Sequence, residues 1–312
     1  MPLKSNAKAD AGDGPLLTIG MPVYNNGATI KRALDSLLAQ SYRRFRLVVS
    51  DDKSTDDTAA VCESYAARDK RICLVRQARN LNYGNFRFVL QQANTPFFMF
   101  AAGDDYWHPE YAARLIDALE SNAAAVCAVS RVAFVKNGAV VMEASGTRAL
   151  DADPATNIAR FLAAADDNSR MYGVFRTPIA QRAFPPTDFF AFDWGFTIGT
   201  LLDGIHIELN EVMLWRDFTA PDRYIRYVRR DARTGIDRLF PMLPLTRHIR
   251  MHLRVPTTHP LTRQLVRLNV TFHLLYLQEY HASAASVERR VIAALRRTRR
   301  FIERARSLPS NS

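Results

Sequence analysis

The sequence is poor in cysteine, and its three cysteines show no pairing pattern. Cys62, Cys73 and Cys127 are odd in number, and no two of them form a Cys-x-x-Cys pair. This argues against a disulfide framework and against a structural zinc site, because both need paired or clustered cysteines. We therefore expect buried free thiols in a reducing compartment.

Long apolar runs and a targeting signal are also missing. No stretch reaches the roughly 18–20 apolar residues that a membrane span needs. Residues 1–14 are polar and lack the apolar centre of a secretory signal, so we interpret them as a flexible N-terminal tail. We expect a cytoplasmic protein that is soluble, or peripheral at the inner face of the membrane.

Lysine is absent from the C-terminal region, where arginine is abundant. Residues 221–312 carry 19 arginines, no lysine and six acidic residues, a net charge of +13. The whole chain has a net charge of +11, which leaves −2 for residues 1–220. The excess positive charge therefore belongs to a basic, helical region that favours anionic partners: membrane lipid, a phosphorylated acceptor or nucleic acid.

Within this region, residues 287–306 place an apolar stripe among arginines, which predicts a basic amphipathic helix. Two interpretations remain open for this helix. It contacts an anionic membrane surface, or it packs on the rest of the domain. We expect no nucleic acid as a partner, because aromatic residues are sparse there and no nucleic-acid motif occurs.

The first 120 residues alternate strand and helix patterns. Apolar runs predict strands at 16–21, 45–49, 72–75 and 96–101, and helical spacing predicts helices at 28–40, 56–67 and 86–93. Residues 121–220 mix strands at 124–135, 139–142 and 205–215 with helices at 155–165 and 195–202. This order predicts an α/β fold with a single mainly parallel twisted sheet and flanking helices. Ligands of such sheets bind beyond the carboxyl ends of the strands, here in the loops after Met21, Ser50 and Ala102.

The second of these loops holds four carboxylates within seven residues. Asp56 and Asp57 suit the positive end of the following helix, so helix capping explains them. Asp51 and Asp52 lie instead at the strand end, where a carboxylate can accept a hydrogen bond from the N–H of a nucleotide base. The first loop, residues 22–27, is on its own typical of a turn before a helix.

The third loop follows a strongly apolar strand. Gly103 permits close approach of a ligand, and Asp104 and Asp105 follow it directly. Carboxylate oxygens are hard ligands that suit Mg²⁺ or Mn²⁺, ions that commonly bridge to phosphate oxygens. Taken alone, the pair is equally well explained as a turn with a helix cap.

Together the three loops resemble the ordered signature of family 2 glycosyltransferases. The signature appears as LLTIGMPVYN, then FRLVVSDDKSTDDT, then a strand that ends in GDDYWHP. The resemblance covers residues 16–217 and implies the glycosyltransferase A fold, with a nucleotide-sugar half at 15–120 and an acceptor half at 121–220. It implies that Pro22 and Tyr24 flank the base of the donor and that Asp51 hydrogen-bonds that base. It also implies that Asp104 binds Mg²⁺ or Mn²⁺ on the diphosphate.

The chain departs from the family pattern in the third motif. The first position of the usual Asp-x-Asp falls on Ala102, and Asp105 is the residue that could compensate in donor binding. Asn80 and Asn82 match an asparagine-containing loop that lines the donor site in the family. Gly103 and Asp105 complete the predicted set of donor-binding residues.

Inverting transfer is a single displacement at the anomeric carbon, and it needs a base that takes the proton of the acceptor hydroxyl. The Glu-Asp pair of the family, at the start of a helix, matches Phe192 and Asp193. Asp193 is therefore the predicted catalytic base, with Asp188 in reserve; a helix N-cap is the structural alternative for Asp193. Arg216 lies where relatives carry Tyr-Arg-x-His and is expected to meet phosphate, while the histidine is missing.

The resemblance implies a non-processive inverting glycosyltransferase of the bacterial cell-surface glycan type, acting in polysaccharide or lipopolysaccharide assembly. The favoured donors are UDP- or dTDP-sugars, with GDP-sugars as the alternative, and the acceptor is a glycan or a lipid-linked molecule. The absence of a Gln-x-x-Arg-Trp motif argues against a processive synthase. The rival interpretation is a catalytically inactive nucleotide-sugar-binding or membrane-associated pseudo-glycosyltransferase, which Ala102 and Phe192 favour. A nucleotidyltransferase would need a glycine-rich first loop that carries a lysine or an arginine, and residues 22–25 provide neither feature.

Overall fold

The computed structural model describes residues 14–163, 167–218, 234–253, 264–274 and 277. The strands are β1 (Leu17–Val23), β2 (Phe45–Asp51), β3 (Ile72–Arg76), β4 (Phe97–Phe100), β5 (Tyr106–Trp107), β6 (Ala125–Lys136), β7 (Ala139–Glu143), β8 (Val174–Arg176) and β9 (Ile205–Asp217). The helices are α1 (Ile30–Leu38), α2 (Thr58–Ala66), α3 (Gly84–Gln91), α4 (Tyr111–Glu120), α5 (Pro154–Ala163), α6 (Thr177–Ala183), α7 (Phe192–Leu201), α8 (Gly235–Leu239) and α9 (Leu243–Leu253). A 3₁₀ turn, Ser169–Tyr172, precedes β8.

The spacing of apolar residues explains these elements. In α1, Ile30, Ala33, Leu34 and Leu37 are buried, and this i, i+3, i+4, i+7 pattern forms one helix face. All four residues of β4 are buried, as expected for a central strand that is covered on both faces of the sheet. Each helix and strand predicted between residues 16 and 217 is present, with ends that differ by a few residues, whereas α4 and α6 were not predicted.

The strands form one sheet in the order β3-β2-β1-β4-β8-β6-β9-β5, and β7 pairs with β6. The first four strands are parallel. The short strand β8 is antiparallel to both of its neighbours, β4 and β6, so β6 and β9 again run in the direction of β1. The predicted α/β sheet with flanking helices is confirmed, and β8 and β5 are the antiparallel strands that the sequence pattern did not indicate.

This topology brings the functional loops to one edge of the sheet. Val23 at the end of β1 lies in register with Asp51 at the end of β2, and β4 ends on the same edge. The last strand, β9, reaches this edge too, where Trp215 pairs with Tyr106. The three predicted loops and the end of β9 therefore surround one region beyond the carboxyl ends of the strands.

The described part of the basic C-terminal region packs on this domain. Met242, Leu245, Ile249 and Leu265 are buried in the same apolar cluster as Phe196 of α7. The predicted amphipathic helix at 287–306 and the N-terminal tail at 1–13 lie outside the described residues. Within the described ranges, none of the helices is both long and apolar enough to span a membrane.

Candidate active site

The first two loops are tied together by hydrogen bonds at the start of α2. The Asp56 carboxylate accepts from the backbone N–H of Gly27 at 2.9 Å and from the hydroxyl of Thr58 at 2.6 Å. The Thr58 hydroxyl oxygen in turn accepts from the N–H of Asn26 at 2.7 Å. Asp56 also accepts from the backbone N–H of Thr58, the first residue of α2, at 3.0 Å, so it lies at the positive end of that helix as predicted, and its bond to Gly27 holds the first loop.

Beside these loops lies a cleft that collects most of the predicted donor-binding residues. It is lined by Pro22, Val23 and Tyr24 after β1, by Asp52 after β2, and by Asn80, Asn82, Tyr83, Asn85 and Phe86 around the start of α3. The ring of Tyr24 stands at its rim and is 49% exposed. The structure thus brings Pro22, Tyr24, Asn80 and Asn82 together, as their assignment to one ligand requires.

Of the adjacent residues Asp51 and Asp52, the second lines the cleft. Asp51 is buried and does not line the cleft; its carboxylate lies 3.3 Å from the N–H of Ser54. Burial, followed by the charge of Asp51, raises the pKa of the Cys62 thiol on α2 to about 12. Asp52 lines the cleft instead, although no feature of the sequence favours it over Asp51.

The Asp52 carboxylate shapes the opposite wall of the cleft. It accepts from the backbone N–H of Leu81 at 2.6 Å and of Asn82 at 2.9 Å. Burial raises the pKa of this carboxyl, and the two backbone hydrogen bonds oppose that rise. Asn82 adopts a left-handed conformation, with φ of 52°, which asparagine tolerates better than most residues. One carboxylate therefore both faces the ligand space and holds the asparagine loop.

The two aspartates of the third loop have different surroundings. Asp105 is 2% exposed, accepts from the N–H of Asp217 at 3.1 Å and lies 3.4 Å from Nε of Arg216. Burial raises the pKa of Asp105 to about 7, against the opposing charge of Arg216. Asp104 is only partly buried. Burial raises its pKa as well, and Arg216 and Arg32 are the cations near it. Asp105 is thus bound to β9, and Asp104 is the carboxylate left for a ligand.

Gly103 leaves room for a neighbouring side chain. A Cβ at this position would lie 2.8 Å from Cγ of Asn26. The backbone oxygen of Gly103 also accepts from the hydroxyl of Thr29 at 2.8 Å. The absence of a side chain therefore allows close contact between the third loop and the first.

The carboxylate oxygens of Asp104 fit a divalent cation that takes its other ligands from a substrate. In the described ranges, three or more His, Cys, Asp or Glu side chains do not come together in a way that could hold a metal ion. Mg²⁺ is commonly bound by one or two carboxylates, with phosphate oxygens and water completing the shell. The Asp104 carboxylate, which is not held by β9, is compatible with that arrangement, in which the remaining ligands would come from a substrate and from water.

Two guanidinium groups flank the acidic loop. Arg216 donates to the hydroxyl of Ser169 at 3.0 Å and lies over the ring of Tyr172, 4.6 Å from its centroid. Arg32 donates to the backbone oxygen of Asp104 at 2.7 Å and lies 3.3 Å from the carboxylate of Asp217. Arg216 was expected at this place from the sequence. Arg32 was not, because an arginine on the polar face of α1 is usually a solvated surface residue.

Asp193 lies in the first turn of α7, one residue after its start. The N-cap is Ala191, in a left-handed conformation with φ of 61°, so the N-cap interpretation of Asp193 does not apply. Its Oδ2 accepts from Nδ2 of Asn168 at 2.9 Å, and burial raises the pKa of the carboxyl.

Contacts near Tyr172 connect Asp193 to the acidic loop. Burial is the largest cause of the raised pKa of Tyr172, Arg216 lowers it, and the charges of Asp105, Asp104 and Asp193 raise it further. Asn168 donates to Asp193, and the next residue, Ser169, accepts from Arg216. Arg216 lies over the ring of Tyr172 and 3.4 Å from Asp105, so these contacts link Asp193 to the acidic loop.

Asp188 and Phe192 are the other residues singled out near Asp193. Asp188 forms an ion pair with Arg87 and lines a groove along α3, shared with Arg79 and Gln91. Phe192 is 7% exposed, and its ring centroid lies 4.5 Å from that of Tyr83, which lines the cleft. The residue that replaces the glutamate of the family pattern therefore backs the wall of the cleft.

Comparisons with known proteins agree with this geometry. The family model described as glycosyl transferase family 2 matches residues 18–179, more than half of the chain. The Bacillus subtilis protein EpsE, named as a glycosyltransferase, is 30% identical over 111 residues, which cover 35% of this chain and 40% of EpsE. The first eight curated relatives are matched over 14% to 40% of their own length.

Two solved structures share the fold at low sequence identity. Residues 1–349 of TarS from S. aureus, in complex with UDP-GlcNAc, superpose with a TM-score of 0.56 at 18% identity, over 81% of this chain and 79% of that one. The mannosyltransferase PcManGT from Pyrobaculum calidifontis, in complex with GDP-Man and Mn²⁺, gives a TM-score of 0.52 at 18% identity, over 94% and 84%.

Proposed function

Because the chain belongs to glycosyl transferase family 2, we propose that it moves a sugar from a nucleoside diphosphate sugar to a hydroxyl of an acceptor, with inversion and without processivity. The observation that carries this proposal is the set of contacts that runs from Asp193 through Asn168, Ser169 and Arg216 to the acidic loop with Asp104, at the strand edge that also holds the cleft. A carboxylate for a metal–diphosphate and a carboxylate for an acceptor proton are the two groups that the reaction requires.

The base of the donor is proposed to bind in the cleft. Pro22 and Tyr24 border it on one side and Asn80 and Asn82 on the other. Asp52 takes the role first given to Asp51, because it is the aspartate that lines the cleft and can accept from a base N–H. UDP- and dTDP-sugars are the favoured donors, and GDP-sugars are the alternative. TarS and PcManGT bind UDP-GlcNAc and GDP-Man, respectively.

The diphosphate is proposed to lie between Asp104 and Arg216. Asp104 would hold Mg²⁺ or Mn²⁺, and the bound ion would neutralise charge on the departing nucleoside diphosphate. Arg216 adds a fixed positive charge at the same place, held by Asp105, Ser169 and the ring of Tyr172. Preorganised charge of this kind stabilises a leaving group without reorganising as the reaction proceeds.

Asp193 is proposed as the catalytic base. Its carboxylate takes the proton of the acceptor hydroxyl while that oxygen forms its bond to the anomeric carbon and the bond to the diphosphate breaks. Burial raises the pKa of Asp193, which makes its ionised form a stronger base than an exposed aspartate. Asp188 is the reserve, and its ion pair with Arg87 makes it the weaker candidate.

The acceptor is proposed to be a glycan or a lipid-linked molecule of cell-surface polysaccharide or lipopolysaccharide assembly. A lipid-linked acceptor would give the basic C-terminal region a role at an anionic membrane on the cytoplasmic side. The segment that motivates this proposal, 287–306, lies outside the described residues, so the proposal rests on its sequence.

A titration with and without metal tests the proposed function. We expect calorimetry with UDP, dTDP and GDP to show binding that requires Mn²⁺ and is lost in Asp104→Ala, while release of nucleoside diphosphate from the matching sugar nucleotides shows turnover. Equal affinity after chelation or in Asp104→Ala would remove the metal from the mechanism. Metal-dependent binding without turnover of any donor and acceptor pair would favour the pseudo-glycosyltransferase.

A further inference from the structure

Asn168 lies directly before the 3₁₀ turn and is buried against the first turns of α7. The residue is 2% exposed. Its Nδ2 donates to Oδ2 of Asp193 at 2.9 Å, and its Oδ1 accepts from the hydroxyl of Thr197 at 3.1 Å. One buried amide thus joins the proposed base to a residue one helical turn further along α7.

The chemistry of the two partners fixes which end of the amide faces which residue. An ionised carboxylate can only accept, so the NH₂ group of Asn168 must face Asp193. The carbonyl oxygen then faces Thr197, whose hydroxyl can donate to it. A flipped amide would place two acceptors against each other at the carboxylate.

The backbone around Asn168 is fixed as well. Asn168 adopts a left-handed conformation, with φ of 43° and ψ of 37°, which asparagine tolerates better than most residues. The N–H of the next residue, Ser169, donates to the carboxylate of Asp167 at 2.7 Å, and the Ser169 hydroxyl accepts from Arg216 at 3.0 Å. The turn that carries Asn168 is therefore attached to the arginine of the proposed diphosphate site.

We infer that Asn168 is a positioning residue, whose amide sets the rotation of the Asp193 carboxylate and keeps it ionised for proton transfer. The role as base rests on the proposed function, whereas the contact between the two side chains does not. Burial raises the pKa of Asp193, and the hydrogen bond from Asn168 is the largest effect that lowers it. Removing the amide should therefore raise that pKa further.

Other titratable and charged groups also surround Asp193. Arg216 and Tyr172 interact electrostatically with Asp193. His248 lies beside Gly195 of α7, and Asp167 and Arg170 are in or next to the 3₁₀ turn. Each of them is the same in the wild type and in the variants proposed below. A difference between these proteins in the titration of Asp193 therefore reports the amide.

The test is a titration of the Asp193 carboxyl in ¹³C-labelled protein by NMR, with its signal assigned through Asp193→Asn. Asn168→Gly removes the amide and retains a residue that favours the left-handed conformation. We expect it to raise the pKa of Asp193 by about one unit, the size of one hydrogen bond to a charged group. Thr197→Val frees the amide to rotate, so a smaller rise is expected. Thr200→Val is the matched control. The Thr200 hydroxyl is hydrogen-bonded to the backbone oxygen of Thr197 and to the ring of His206, so its loss should leave the titration of Asp193 unchanged.

Kinetics supply the second readout. The rate of UDP-GlcNAc hydrolysis with Mn²⁺ is measured as a function of pH. In Asn168→Gly the fall of the rate on the acid side should occur at higher pH than in the wild type. The affinity for UDP should stay within about twofold of the wild type. An unchanged titration in both Asn168→Gly and Thr197→Val overturns the inference, and Thr197→Val decides alone if the glycine variant does not fold. A shifted titration together with full activity of Asp193→Asn would keep the contact but refute the proposed base, and the positioning role with it.

Discussion

Asp51 and Asp52 are adjacent at the end of β2, and only Asp52 lines the cleft. Side chains alternate along a strand, so a shift of one residue in the predicted strand end exchanges the two faces. The family resemblance implied that Asp51 binds the base of the donor, and the lining of the cleft favours Asp52 for that proposed role. Asn168 and Arg32 gave no signal at all, because their roles depend on contacts with residues far away in the chain.

We expect Asp52→Asn to weaken binding of UDP by tenfold or more, and Asp51→Asn to weaken it less than threefold. A hydrogen bond to a charged group contributes about 1.5–3 kcal/mol, and tenfold in affinity corresponds to about 1.4 kcal/mol. Asp52 also holds the N–H groups of Leu81 and Asn82, so its loss loosens the wall of the cleft. Calorimetry on both variants checks the order, and the reverse order would return the role to Asp51.

Asp193→Asn should abolish transfer and leave donor binding nearly intact. The change keeps the shape of the side chain and removes the basic group, for which a rate loss of at least about a hundredfold is expected. Asp188→Asn is the matched control, since Asp188 pairs with Arg87 at the rim of the α3 groove. Single-turnover rates and UDP affinity of the two variants provide the test. An active Asp193→Asn with an inactive Asp188→Asn would make Asp188 the base.

At the scale of elements, most long periodic segments were predicted and the two shortest strands were not; the ten-residue helix α4 was missed although five of its residues form a buried face. The fold of the glycosyltransferases was expected from the alternation of strands and helices together with the family signature, and the structural similarities confirm it. The two-residue strand β5 and the three-residue strand β8 are too short to show a period of two. They exist because they pair with β9, and with β4 and β6, which brings the end of β9 beside the acidic loop.

The contact between the first and third loops can be tested at Gly103. A Cβ there would lie 2.8 Å from Cγ of Asn26, so we expect Gly103→Ala to cost about 1–3 kcal/mol of unfolding free energy, as overpacking does elsewhere. In an Asn26→Ala background the same change should cost about 1 kcal/mol less, because the two closest atoms, Cγ and Oδ1 of Asn26, are gone and only its Cβ remains, 3.0 Å away. Urea unfolding of the four proteins gives this difference. Strictly additive costs would mean that Asn26 is not what excludes a side chain at Gly103.

At the scale of the whole molecule, composition located the positive charge but not how the charged region packs. The division at residue 220 into a transferase domain and a basic region remains a prediction. Across that division, however, Met242, Leu245 and Ile249 share an apolar cluster with Phe196 of α7, the helix that carries Asp193. Sequence alone does not show which of the apolar residues that lie between arginines are buried in a core. Removing everything after Phe218 is therefore expected to expose apolar surface and destabilise the domain.

A shorter truncation separates membrane binding from folding. A chain that ends at Ser286 keeps α8, α9 and the packed residues up to Leu265, and it loses eight arginines between 287 and 306. Each basic residue near an anionic surface contributes about 1 kcal/mol. We therefore expect the full chain to sediment with phosphatidylglycerol vesicles and the shortened chain to stay in solution, with equal turnover of a soluble acceptor analogue.

Salt and lipid charge provide the controls for this last prediction. At about 1 M salt the Debye length falls to about 3 Å, so the full chain should then behave like the shortened one, and neutral vesicles should bind neither. A shortened chain that stays folded and still sediments would place the membrane contact elsewhere on the molecule. One that unfolds would show that residues 287–312 pack on the domain, because a segment that serves only the membrane contributes nothing to the unfolding free energy in its absence.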